Sequence, residues 1–222
     1  MRAGDLGSFR LWACPVLLAG VACVFDGANR MVDYGPLSAG PLDEPAHLAT
    51  AALGLLVLAR FIDVPVRFYI AALVASVAID LDHIPEYLGL LGDQNGRPFT
   101  HSLATVAVFT VAAAASRRHR AVLAGTVIGL LLHFARDIVE GPPGVRMLWP
   151  LQQTAWTANY WWFLGMIILL ASAQVVLVSI GAPHARWRAF RSEHDRVWRT
   201  PVLPEQGSDR APSAAPEPVQ RT

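Results

Sequence analysis

Four histidines lie close to carboxylates or other polar residues at the ends of apolar segments: His47 directly after "LDEP", His83 in "AIDLDHIPEY", His101 in "RPFTHS" and His133 in "LLLHFARD". Asp80 and Asp82 precede His83, and Asp137 follows His133 by four positions. Those spacings suit coordination. On a helix, positions i and i+4 lie about 40° apart, so His133 and Asp137 address one point. Asp80 and His83, at i and i+3, also share a face, whereas Asp82 falls off it unless the helix unwinds ahead of Pro85. Neutral imidazole with carboxylate is a ligand set for zinc, manganese or iron, and no thiolate accompanies it. The plain alternative is a hydrogen-bond network among polar helix ends at a membrane boundary. His119, in "SRRHR", and His184 and His194, near the C-terminus, lie among arginines and read as ordinary interfacial groups.

A metal held by three or four such ligands, with one position open, lowers the pKa of bound water to about 7, which points to hydrolysis of a carboxylic or phosphoric ester. Asp80 or Asp82 is then the candidate general base. Arg97, close to Thr100 and His101, is the candidate clamp for an anionic substrate, with headgroup anchoring as its plain alternative. The ligand set has room for one ion or two.

The elements that must position these groups are membrane helices. Of 222 residues, 54% are hydrophobic and 16% charged, too apolar for an ordinary soluble domain. The apolar residues form six blocks, 9–25, 46–62, 64–79, 101–116, 121–135 and 160–180, which predicts an all-α polytopic helical bundle over residues 1–182. Pro45, Thr100 and Ser102 suit helix starts, and Pro85 suits a helix end. All 18 basic residues are arginine, and they divide 14 against 4 between the two ends of these spans. That asymmetry places both termini in the cytoplasm and the four histidines at the outer membrane face. Cys14 and Cys23 share the first block and read as buried packing residues. That block, behind Arg2 and Arg10, is a retained span or, alternatively, a signal segment with a lipoprotein-like "LAGVAC". Residues 183–199 read as a basic amphipathic helix on the inner leaflet or a short solvated helix, and 200–222 as a disordered tail. "WTANYWWF" resembles an interfacial aromatic belt.

"AIDLDHIPE", "RPFTHSLATV" and "GLLLHFARDIVEGPPGVRMLWPL" resemble, in order, the signature blocks of the YdjM-type family. These are bacterial inner-membrane proteins to which a metal-dependent hydrolase activity is ascribed. The resemblance covers residues 43–151 and implies that His47, Asp80, Asp82, His83, His101, His133 and Asp137 form the metal site. This chain has Ile79 where the pattern has Pro, Gly96-Arg97-Pro98 where it has His-Arg-Gly, and Glu140 near a usual Thr. The histidine before Arg97 is therefore missing.

A site at headgroup depth implies membrane lipids as neighbours and a lipid or lipid-linked substrate, with no nucleic acid as partner. Two other classes fit the chain. A metal or ion transporter would carry intramembrane charge near the bilayer midplane, which the span interiors largely lack. A non-catalytic scaffold would use the metal only to hold helix ends together.

Overall fold

The computed structural model describes residues 3–31, 36–88, 90, 97–140 and 144–180. A helix lies over each of the six apolar blocks: α1 (Ala3–Met31), α2 (Pro36–Phe61), α3 (Val66–Ala78), α5 (Leu103–Ala115), α6 (Arg120–Glu140) and α7 (Tyr160–Ser179). A 3-10 helix over Ile79–His83 leads from α3 into the single turn α4 (Ile84–Tyr87). Among the described residues there is no strand, only an antiparallel bridge between Val145 and Trp156. The chain is all-α, as its blocks imply.

One expected boundary moves. α2 begins at Pro36, so Pro45 lies inside it and does not start it. Proline removes its own N–H bond, and the flanking residues of α2 continue the helix past that gap. Pro85 does follow an end, since the 3-10 helix stops at His83 two residues before it, and it then takes the second position of α4, where its missing N–H has no intrahelical partner to lose. Ser102 does precede α5, in extended conformation.

Three segments are long and apolar enough to cross a membrane among the described residues: Leu42–Phe61, Arg120–Val139 and Tyr160–Ser179. α3 and α5 have 13 residues each, about 20 Å of rise against a hydrocarbon core of about 30 Å. Large apolar side chains point outward along the helices, including Val16, Ile70, Val74, Val108, Val111 and Ile168. Such a surface belongs in hydrocarbon. Trp161 and Trp162 are exposed at the start of α7, as a boundary belt requires. Cys14 is exposed and Cys23 half-buried, so the expectation of two buried thiols fails. Cys14 joins the outward apolar surface, where a thiol is as acceptable as in a core. The expected amphipathic helix and tail lie outside the described residues.

α6 touches every layer of the bundle. Val139 packs with Ala22, Ala49, Leu53, Phe163 and Ile167 of α1, α2 and α7. Leu130 and Phe134 pack with Val106, Val145 and Met147. The closest approach is to α3. A Cβ on Gly125 would sit 2.2 Å from the Phe68 carbonyl oxygen, and one on Gly129 would sit 2.2 Å from that of Ala72. Gly-x-x-x-Gly is the pattern that lets two membrane helices meet backbone to backbone.

This contact sets a register. Phe68 with Gly125 and Ala72 with Gly129 are each separated by the same 57 positions as Ser76 and His133, which are hydrogen-bonded. One further turn along both helices brings Asp80 level with Asp137. The glycines thus determine which polar residues meet at the helix ends.

Candidate metal centre

His133 projects from the last turns of α6, and its Nδ1 donates to the Ser76 carbonyl oxygen at 2.9 Å. A carbonyl only accepts, so this bond fixes the tautomer and leaves the Nε2 lone pair facing the bundle's polar end. His101 stands in a turn whose amide donates to Pro98 at 2.9 Å. Its Nδ1 lies 3.2 Å from Asp82 Oδ2, which Thr100 Oγ1 also contacts. The turn is fastened from the far side. The Leu103 amide donates to the Met147 carbonyl at 2.9 Å, and the Phe99 ring packs on Trp149. Gly144, at φ 78°, supplies the left-handed residue that opens this returning segment.

The two Nε2 atoms meet two carboxylates. His101 Nε2 and His133 Nε2 are 3.2 Å apart, and Asp80 Oδ1 lies 3.0 Å and 3.4 Å from them respectively. Asp137 Oδ2 lies 3.0 Å from His133 Nε2 and 3.7 Å from His101 Nε2. His47 stacks on His133 with ring centroids 3.9 Å apart, and its Nε2 lies 3.3 Å from the other Asp137 oxygen. His83 Nδ1 lies 2.9 Å from Asp82 Oδ1 and 3.6 Å from Asp80 Oδ1. His47, His101, His133 and Asp137 are buried.

This donor set fits a divalent cation. With the Nδ1 atoms turned to Asp82 and Ser76, two imidazole Nε2 atoms and two carboxylate oxygens converge on one point. Tetrahedral ligands about 2.0–2.1 Å from zinc are separated by roughly 3.3–3.4 Å, the middle of the observed range. Both Asp137 oxygens, Asp80 Oδ2 and both His47 nitrogens are buried without a partner at hydrogen-bond geometry among the described residues. Three groupings have ligand atoms close enough to hold an ion: His47, His133 and Asp137; Asp80, His101 and His133; and Asp82, His83 and His101. Outer partners that a metal would require are in place too, since each central histidine turns its second nitrogen to a carboxylate or carbonyl.

Burial disfavours the Asp82 carboxylate, but hydrogen bonds from His101, His83 and Thr100 outweigh it and hold its pKa at about 2. Asp80 is likewise held below the usual carboxylate range, burial being overcome by His101 and His133. Burial also disfavours the His101 imidazolium, yet Asp80, Asp82 and the charge on Asp137 raise its pKa above the ordinary value.

All of the expected site residues gather here. Asp82 reaches the cluster through its partners, since the His101 turn brings Nδ1 to 3.2 Å from its Oδ2 and His83 Nδ1 lies 2.9 Å from its Oδ1, although the 3-10 winding from Ile79 leaves it about 120° from the face that Asp80 and His83 share. Arg97 Nη2 pairs with Asp137 Oδ1 at 3.1 Å. Four further groups escape sequence reading. Glu44 lies against Asp80, with its Oε2 buried and unpartnered among the described residues. Asp26 and Asp43 flank Arg136, which reads in sequence as a boundary arginine but is wholly buried. The "DEP" before His47 is the available signal for Asp43 and Glu44.

The fold and the site together define a helical membrane protein with a buried His/Asp centre able to hold a metal ion. The chain belongs to the YdjM inner membrane protein family, whose model matches residues 42–200. No curated protein and no solved structure matches it.

Proposed function

We propose that the protein is a metal-dependent hydrolase of the inner membrane, acting on an ester or phosphoester of a lipid or lipid-linked molecule at the outer face. The observation that carries this reading is the convergence of His101 Nε2, His133 Nε2, Asp80 Oδ1 and Asp137 Oδ2 within 3.0–3.7 Å. Zinc is the ion favoured by two or three imidazoles with carboxylates, ahead of manganese or iron. Bound there, it would lower the pKa of a coordinated water to about 7 and polarise the scissile group.

The chain's own residues divide the remaining work. Ser76 and Asp82 hold the imidazoles of His133 and His101 in one tautomer each. Asp82 is thereby an orienting group in this arrangement, since both its oxygens face His101, His83 or Thr100. Glu44, beside Asp80, is the carboxyl placed to move a proton. Arg97 brings positive charge to the rim at Asp137, where an anionic group would gain from it.

Support for a lipid comes from two apolar grooves on either side of α3. One, of about 570 Å³, runs between α3, α5 and α6 from Arg67 past Val74 and Phe109 to Ile79. The other, of about 440 Å³, lies between α2 and α3 and includes Glu44, Val74 and Leu81. The first reaches Ile79 and the second Leu81, the chain neighbours of Asp80. The arginine asymmetry supports cytoplasmic termini.

The test is hydrolysis of long-chain phospholipid and soluble phosphodiester substrates by zinc-loaded protein in detergent, for wild type and His133→Ala. Turnover lost in the variant supports the reading. Equal turnover, or none with any ester or phosphoester at full metal occupancy, contradicts it.

A further inference from the structure

Arg136 directly precedes Asp137 but points the other way, into the interface of α6 with α1 and α2. Its Nη2 meets Asp26 Oδ1 at 3.2 Å and its Nη1 meets Asp43 Oδ1 at 2.5 Å. The second oxygen of each carboxylate is also engaged. Arg30 Nε approaches Asp26 Oδ2 at 3.1 Å, and Asp43 Oδ2 faces His47 Nε2 at 3.5 Å. Arg30 in turn lies over the Tyr160 ring, 3.9 Å from its centre. A line of polar contacts, exposed at Arg30 and buried at Asp26, Arg136 and His47, therefore runs from α1 and α7 through Arg136 and Asp43 to a candidate metal ligand.

We infer that Arg136 is a positioning residue of the metal centre: it fixes the Asp43 carboxylate, and Asp43 sets how His47 presents its imidazole to Asp137. The guanidinium fork is suited to this, because its planar donors face two carboxylates at once: Nη2 hydrogen-bonds Asp26, and Nη1 meets Asp43 as a close ion pair. His47 needs such a guide. Neither ring nitrogen has a partner at hydrogen-bond geometry among the described residues, and only Asp43 and Asp137 come within ion-pair distance of Nε2. Stacking on His133 fixes the plane of the ring but leaves its rotation within that plane to the two carboxylates. α1 enters the centre by this route. It lies outside the matched residues 42–200, yet Asp26 supplies half of the grip on Arg136.

The inference rests on the metal reading for one readout and is independent of it for the other. Full-length protein in detergent is compared as wild type, Arg136→Lys, Asp43→Asn, Asp26→Asn and the neutral triple variant Asp26→Asn/Asp43→Asn/Arg136→Met. Zinc affinity by competition with a chromophoric chelator is expected to fall about 10- to 100-fold in Arg136→Lys and Asp43→Asn, the usual cost of losing a ligand's outer partner. Asp26→Asn should fall less. The triple variant separates positioning from folding: it leaves no buried charge unpaired, so its thermal midpoint recovers while its affinity stays low. Nitrogen-15 spectra of the histidines in chelated protein give the metal-free readout, with the His47 signals displaced in Arg136→Lys and those of His83 unmoved. If wild type takes up no zinc, the metal reading fails and the His47 signals alone decide the inference. Unchanged His47 signals in Arg136→Lys and Asp43→Asn overturn it, as does zinc affinity within twofold of wild type in both.

Discussion

Replacing Gly129 with alanine should disable the centre from one turn away. The added Cβ would lie 2.2 Å from the Ala72 carbonyl oxygen, and backbone cannot swing aside as a side chain can. Ordinary contact begins near 3.4 Å, so α3 and α6 must part by roughly 1.2 Å at this level. Overpacking of this kind costs about 1–3 kcal/mol of stability. The functional cost is larger in proportion. Asp80 follows α3 and His133 rides on α6, and the contacts across this gap are short: 3.4 Å from His133 Nε2 to Asp80 and 2.9 Å from His133 Nδ1 to the Ser76 carbonyl. Widening that gap by about 1 Å removes the geometry for shared coordination, and misplacement on this scale costs about 100-fold in well-tuned sites. Zinc affinity of Gly129→Ala, measured by chelator competition in detergent, should fall at least tenfold, with a lower thermal midpoint. Gly20→Ala is the control, since a Cβ there meets nothing within 4 Å. Wild-type affinity and midpoint in Gly129→Ala would refute the claim that the glycine contact sets the site.

Other outcomes follow from the same geometry. Asp82→Asn weakens the hold on His101 Nδ1 and should lower zinc affinity about 10- to 100-fold while leaving the helical circular dichroism signal unchanged. Protons compete with the metal at His101, whose pKa is raised, so zinc affinity should climb as pH rises above about 6.5 and level off once that pKa is passed. A flat profile by pH-resolved competition would contradict this. Chelation should also destabilise the fold: zinc at 1,000 times its dissociation constant contributes about 4 kcal/mol, roughly 8–16 °C in thermal midpoint for a chain this size. A midpoint indifferent to chelator would show that the cluster holds together without an ion.

Much of the centre is legible in the sequence because its residues break a strong pattern. Imidazoles and carboxylates at the ends of apolar runs have few solvated alternatives, so His47, His101, His133 and Asp137 stand out from the order of residues alone. Asp82 is harder, since its place in the cluster depends on the His101 turn folding back against it, which no periodicity announces. Gly125 and Gly129 are visible as Gly-x-x-x-Gly, but the spacing does not say which helix approaches. Arg136 misleads for a physical reason. An arginine near a span's end normally reaches water, and here its partner Asp26 lies 110 positions away on α1. Cys14 shows the same limit from the other side, because lipid-facing and core-facing thiols look alike in sequence.

The central claim is that these histidines and aspartates hold a metal. It is tested most directly by the metal content of full-length protein, purified in detergent and equilibrated with zinc, for wild type and His133→Ala. At least one ion per chain is expected in wild type and a near-complete loss in the variant. Equal, near-zero metal in both would contradict it.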